Sequence, residues 1–353
     1  MKRSLLCSFA ACLMLACGNT GAPEVDYGPL LQNLSAQVIL PEHQAFAAQA
    51  DALAVAAQAL ADAADAPSLL SAQSAWRDAR QAYRTLDALH FGPDLTLRIT
   101  ERIDVSPVDV KGIEALAAGS SAVDDAAIGA AGGQKKGFLG LEYLLFPDPG
   151  SQELAPVLVD DARASRRRAL ALGMAREIAR SAHQLDDAWA ADKGGYVEQI
   201  QLAGRGGTQY ATQRAAVDDI VGGASYALEL IVGIRLAIPL SRKPGADPTQ
   251  RSDNAVADMQ ASLNGVLALY QGDGFASVVG KKSSQLAEVV AAEFSDGQQK
   301  LAAISAPFAS AVSDETPAVQ AAYDATRALK ATWNTDLASA LGATVKVGDN
   351  DGD

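Results

Sequence analysis

Glu142 is the residue whose placement most needs explaining. It lies in the stretch from Lys136 to Phe146, which is apolar on almost every side of a helix. A helix that is hydrophobic all round belongs in an interior. An ionised carboxylate left alone there would cost several kcal/mol, so Glu142 must be paired, protonated, metal-bound or set at a wet cavity. An ion pair with an arginine is the plain structural answer. A functional site is the sharper one, decided by what else converges on the acid. Trp76, Arg80, Tyr83 and Asp87 are spaced by four, three and four residues and therefore share one helix face. Beside them Ala75, Ala79, Ala82 and Leu86 form a small-residue stripe suited to close helix packing. The plain alternative is a half-exposed helix with a local Arg80–Asp87 or Arg84–Asp87 pair. Glu229 and Arg235 are likewise isolated charges in the apolar run Tyr226 to Leu236, and Ser106-Pro107-Val108 presents Asp109 from a loop.

Signatures of catalysis are sparse. A zinc peptidase needs about three protein ligands and a general base, as in His-Glu-x-x-His. The chain has only His43, His90 and His183, at no such spacing, although His90 follows the Trp76 helix and can join a site. No Gly-x-Ser-x-Gly elbow occurs, and no cysteine follows Cys17. Lys135-Lys136-Gly137 lacks the spacing of a phosphate loop. Asp349 to Asp353 starts like a calcium loop but stops before its closing glutamate, and reads as a solvated acidic tail.

The elements that must position these residues are helices. Of the 353 residues 49% are hydrophobic, enough for one large or two smaller cores, and only 5% are aromatic. Alanine and leucine abound and alternating Val, Ile and Thr are scarce, so the fold class is all-α. Helices are expected over 41–65, 68–89, 157–191, 213–237, from Ser252 or Asp253 as N-cap to Tyr270, and near 281–305 and 316–341. Residues 94–135 are less regular. Arg163, Arg166, Arg167 and Arg168 read as a solvated face or as partners for internal carboxylates. Gly194-Gly195 and Gly204 to Gly207 place a domain boundary between about 192 and 212. Gln73 to Arg80 aligns weakly with Gln320 to Arg327, and Leu141-Glu142 with Leu228-Glu229, as a duplicated chain would.

The amino terminus reads as an address. Lys2 and Arg3 precede an apolar run from Leu5 to Ala16 that is too short for a membrane anchor. Leu13 to Cys17 resembles a bacterial lipoprotein signal, in which Cys17 is lipidated and becomes the first residue. Gly18 after it resembles lipoproteins sent to the outer membrane. The expected organisation is a signal over 1–17, a tether over 18–30, helical bundles over 31–195 and 210–343, and an acidic tail over 344–353. Cys7, Cys12 and Cys17 are the only cysteines, so the mature body has neither a disulfide nor a thiolate metal site. A formal charge of −13 disfavours nucleic acid as a partner.

Five features occur in the order seen in imelysin-like proteins: the lipoprotein signal, the Trp76/Arg80/Tyr83/Asp87 stripe ending at Phe91-Gly92-Pro93, Pro107-Val108-Asp109, Gly137 to Glu142, and Ser252-Asp253-Asn254 with Asp258. The chain resembles that family over about residues 30–340. The resemblance implies two helical bundles related by duplication, a site near their interface, and a link to bacterial iron uptake on the periplasmic side of the envelope, with other iron-uptake components as partners. The family is filed as metallopeptidase-like, with the signature Gly-x-His-x-x-Glu. Here Gly137 and Glu142 match, but Leu139 replaces the histidine, and leucine is neither a metal ligand nor a base. The resemblance carries over Trp76, Arg80, Tyr83, Asp87, Asp109, Gly137, Glu142, Ser252, Asp253 and Asn254, with Glu229 and Arg235 matching less closely. Two ligand chemistries follow. Carboxylates of Glu142, Asp109 and Asp253 would hold iron or another hard cation, with Arg80 or Arg235 balancing charge. Alternatively, Arg80 with Ser252 and Asn254 would hold an anionic or chelated ligand. The expected function is a non-catalytic, lipid-anchored binding or accessory protein. A metallopeptidase using Glu142 as base and a purely structural partner-binding lipoprotein are the alternatives.

Overall fold

In the computed structural model the described residues are 25–242, 249–314 and 316–345, and among them there is no β-strand. The signal with Cys17, most of the tether and nearly all of the acidic tail lie outside the described residues. The main helices are α1 (Leu40–Ala63), α2 (Ala66–Thr85), α3 (Val110–Ala118), α4 (Gly137–Leu145), α5 (Ala164–Trp189), α6 (Gln213–Glu229), α7 (Ala255–Tyr270), α8 (Ser284–Ala302) and α9 (Pro317–Thr332).

α1 buries Phe46, Ala50, Leu53, Ala57 and Leu60, the one-sided spacing of an amphipathic helix. It ends at Ala64 in the left-handed conformation, and Asp65 begins α2 at once. The Asp65 carboxylate accepts from Ser68 N–H at 2.9 Å while Ser68 Oγ accepts from Asp65 N–H at 3.2 Å, a reciprocal cap. Ser68 is thus inside α2, and the helix starts two residues earlier than the sequence reading placed it. α5 packs along α1, which packs along α2, and α4 is wedged between α2 and α5. α7 packs on α2, α6 on the turn that follows α2, and α8 pairs with α9. The contact between α2 and α7 is close because Gly265 admits it: a Cβ there would lie 2.2 Å from the Thr85 carbonyl oxygen.

Trp76, Trp189 and Trp333 are fully buried, and each indole N–H has a partner: Phe138 O at 3.0 Å, the Asp94 carboxylate at 2.9 Å and Val221 O at 3.2 Å. The run Gln213–Ser241 is apolar and long enough to cross a membrane, but more than half of its most apolar 18-residue stretch is buried against the rest of the protein. It is not one regular helix. α6 passes into a π-helical turn, Leu230–Leu236, before α-helix resumes over Ala237–Arg242. The helix expected over 213–237 therefore runs on past Pro239. The widened turn before it leaves room for a ring that would otherwise strike the carbonyl four residues back.

The weak internal match is not repeated in environment. Trp76 and Arg80 are fully buried, whereas their counterpart Tyr323 is half-buried and Arg327 is exposed. Glu142 is buried, and Glu229 is about half-exposed.

Candidate functional site

Arg80 and Arg84 are one helical turn apart on α2 and point the same way. The 3₁₀ turn Leu86–Leu89 then brings Asp87 back beside Arg84. Asp258 and Ser262 face them from α7, again one turn apart, and Asp104 follows the short helix Thr100–Ile103. Arg235 comes from the π turn. These elements bury three guanidinium groups and three carboxylates together.

Each ion finds an opposite charge. Arg80 Nε donates to both oxygens of Asp258 at 3.1 and 2.9 Å, with Nη2 2.7 Å from the second. Its Nη1 donates to Asp104 at 2.9 Å. Arg84 pairs closely with the other Asp104 oxygen but only at 3.5 Å with Asp87 and 3.4 Å with Asp258. Asp87 Oδ2 accepts from Arg235 at 2.7 Å and from Ser262 Oγ at 2.6 Å. Burial alone would raise Asp104, yet Arg84 and Arg80 outweigh it and hold that carboxyl far below the usual range. Burial acts likewise on Asp87, where Arg235 and Arg84 win. Arg84 stays charged because Asp104, Asp87 and Asp258 overcome its desolvation.

A cavity of about 200 Å³ opens on this cluster. Its polar wall includes Arg84, Asp87, Asp104 and the Tyr83 hydroxyl, which is 2.9 Å from Thr100 Oγ1. Its apolar wall includes Leu230, Ile234 and Phe308. His90 and Tyr226 also line it, with their rings stacked at 3.9 Å between centroids and 13° between planes. Burial holds the His90 imidazole below its ordinary value despite Asp94 and Asp87 nearby.

Glu142 sits beside this cluster, in the wall of α4. Its Oε1 accepts from Ser252 N–H at 2.9 Å and Ser252 Oγ at 2.6 Å. α4 enters through Gly137 at φ +69°, where a Cβ would also meet Ile103 O at 2.2 Å, so only glycine fits. Leu139 is buried in that helix. Phe138 stacks on Tyr83 and meets Trp76 edge-on. Residues 252–254 tie three elements together. Ser252 holds Glu142, Asp253 accepts from Phe308 N–H at 2.9 Å, and Asn254 Nδ2 donates to Asp258 at 2.7 Å. None of the three side chains caps α7 as expected, because each is engaged elsewhere; Asn254 takes the cap position without a capping bond.

Trp76, Gly137, Glu142, Ser252, Asp253 and Asn254 do not line the cavity, and neither do the remaining candidates. Asp109 caps α3 through Gly112 N–H at 2.8 Å, is more than a third exposed, and stands 3.7 Å from Lys135 Nζ. Glu229 pairs with Lys330. A cation held jointly by Glu142, Asp109 and Asp253 finds no such grouping: among the described residues, no three His, Cys, Asp or Glu side chains cluster so as to hold a metal ion. The residues present therefore do not fit a bare cation. Of the arginine-rich start of α5, Arg163 and Arg167 pair with Glu114 at 2.7 and 2.8 Å, and Arg166 and Arg168 bond backbone carbonyls.

Sequence reasoning left Asp104, Ser262 and Tyr226 out of the site, and took Arg84 only as a local partner and Asp258 only as part of a motif. The four-residue spacings Arg80–Arg84 and Asp258–Ser262 were the available signal. Asp104 carried none, since it sits in an irregular stretch.

The imelysin family model matches residues 39–333. Iron-regulated protein A of Synechococcus elongatus is 27% identical over 312 residues, which cover 85% of this chain and 82% of that protein. A solved structure described as an iron-regulated protein A precursor from Parabacteroides distasonis superposes with a TM-score of 0.78 at 17% identity, covering 91% of this chain and 97% of the other. An imelysin-like protein from Psychrobacter arcticum gives 0.72 at 16% identity, covering 90% and 96%. At such identities these two structures share the fold.

Proposed function

The chain belongs to the imelysin family, and from that premise we propose that it is a lipid-anchored envelope protein that serves iron acquisition by holding a small ligand. The observation that carries this is the cavity of about 200 Å³ bounded by three arginines and three aspartates that already neutralise one another. Such a wall recognises and orients. A peptidase reading would need Glu142 free as a base, and its Oε1 is bonded by both donors of Ser252. The iron connection rests on the relatives named iron-regulated protein A.

Residues 31–195 and 210–343 are read as two bundles related by duplication, and the α2–α7 contact under the cavity would be their seam. Cys17 is read as the lipidated first residue, with the protein on the periplasmic side of the outer membrane. Other iron-uptake components are its proposed partners.

Native mass spectrometry of the full chain, extracted in detergent from its own host, tests the function. A small-molecule adduct is expected, and Ile234→Trp at the cavity mouth should lose it. Peptide hydrolysis by the purified protein, or an adduct unchanged by Ile234→Trp, overturns the reading. Palmitate labelling that persists in Cys17→Ser would remove the anchor from the proposal.

A further inference from the structure

We propose that the cavity's ligand is a small, net-neutral planar ring presenting a carbonyl-type acceptor beside an N–H donor, the chemistry of cyclic amides and nucleobase-like heterocycles. The proposal rests on the binding function above and specifies its occupant.

Charge comes first. The cluster against the cavity has three guanidiniums and three carboxylates. A bare cation entering would meet the guanidiniums, and a bare anion the carboxylates. Either would leave an uncompensated charge among groups that are almost completely buried, and such charges are strongly unfavourable. A neutral occupant leaves the pairs intact.

Hydrogen bonding comes second. Most polar atoms of the cluster have short, well-aligned partners; Arg84 Nε is 3.4 Å from Asp258, Arg80 Nη2 lies 2.7 Å from Asp258 without hydrogen-bond geometry, and two further atoms that face each other are also poorly served. Arg84 Nη1 and Asp87 Oδ1 are 3.5 Å apart, at the limit of a hydrogen bond. Their neighbours are satisfied: Asp87 Oδ2 has Arg235 and Ser262 at 2.7 and 2.6 Å, and Arg84 Nη2 has Asp104. A ligand carbonyl accepting from Arg84 Nη1, with an adjacent N–H donating to Asp87 Oδ1, would replace one poor contact with two good ones. Adjacent donor and acceptor on one rigid edge is what a cyclic amide offers.

Shape comes third. The stacked His90 and Tyr226 rings, with Leu230, Ile234 and Phe308, supply the flat aromatic and apolar part of the same lining. An engineered apolar cavity of about 150 Å³ accepts benzene, so the room here suits one ring with its substituents. Burial keeps His90 in its neutral form, consistent with an uncharged face.

Isothermal titration of the detergent-solubilised full chain tests this, with uracil and 2-pyridone as neutral donor–acceptor rings. Benzoate, benzamidine and ferric citrate are the charged comparators. The neutral rings should bind at least about tenfold tighter than the charged ones, and Asp87→Asn and Arg84→Gln should each weaken them at least about tenfold. Because those two variants disturb a buried network, Ile234→Trp is the folding control. Ile234 is half-exposed, so this variant should keep the wild-type melting temperature and lose binding. Tighter binding of benzoate, benzamidine or ferric citrate, abolished by Ile234→Trp, overturns the ligand class while leaving the cavity a binding site. Binding of any probe that ignores Ile234→Trp, or binding of none, overturns both.

Discussion

Replacing Asp258 with asparagine probes the centre of the buried cluster. The wild-type carboxylate takes Arg80 Nε at 3.1 and 2.9 Å, Arg80 Nη2 at 2.7 Å and Asn254 Nδ2 at 2.7 Å, and is 3% exposed. An amide keeps the shape but removes the charge, and turns one acceptor into a donor facing other donors. Arg80, wholly buried, is then left with Asp104, which it shares with Arg84. Breaking a buried pair in this way costs about 3–5 kcal/mol. In a chain of this size each kcal/mol moves the melting temperature by about 2 °C, so a fall of about 6–10 °C is expected. Glu101→Gln, which cuts an exposed pair with Arg98, is the control and should shift it by less than about 2 °C. Calorimetry from pH 5.5 to 8 is the assay. Asp87 and Asp104 are held below the ordinary carboxylate range, so both stay charged throughout and the Asp258→Asn deficit should be flat with pH. Their own contribution is complete above that range and is lost only as pH falls through their lowered values. A deficit no larger than that of Glu101→Gln would refute the view that this cluster clamps α7 to α2.

Other outcomes follow from the same geometry. Gly137→Ala should lower the denaturant midpoint by an amount equivalent to about 2 kcal/mol or more, since both φ and the Ile103 carbonyl exclude a methyl group. Leu139→His, which restores the family signature, should destabilise the fold by about 1–3 kcal/mol and give no zinc titration by calorimetry, because it buries an imidazole beside a glutamate engaged by Ser252. His90 is held below its ordinary value, so its protonation is harder in the folded chain. Stability should therefore fall as pH drops below the ordinary histidine range and level off once the lowered folded value is passed, and His90→Phe should remove that slope in melts from pH 5 to 7.5.

Helical class was legible because alanine-rich one-sided patterns such as α1 leave no competing period. Helix ends were legible to within a few residues only: the sequence reading starts α2 at Ser68, when Asp65 is the cap, and ends the run from Gln213 short of Pro239, where backbone geometry alone decides. The site was half visible. Glu142 and Arg235, isolated charges in apolar stretches, announce their placement by their neighbours, while Arg80 is marked only by sharing a face with Trp76, Tyr83 and Asp87. Which of them meet cannot be read from spacing, since the partners come from elements far apart in the chain. Thus Glu142 is bonded by Ser252, 110 residues further along, and Asp104, in a stretch without period, paired with two arginines.

The π turn at Leu230–Leu236 has a bearing on how this protein can diverge. A π turn holds one residue more than the α-helix it interrupts. Deleting one residue between Leu230 and Ile234 would let the turn close to regular α geometry, and because the residue lost is the surplus one, Arg235 would keep nearly the same face of the helix, toward Asp87. That turn is therefore a place where the chain could shorten by one residue and keep the charge lining of the chamber.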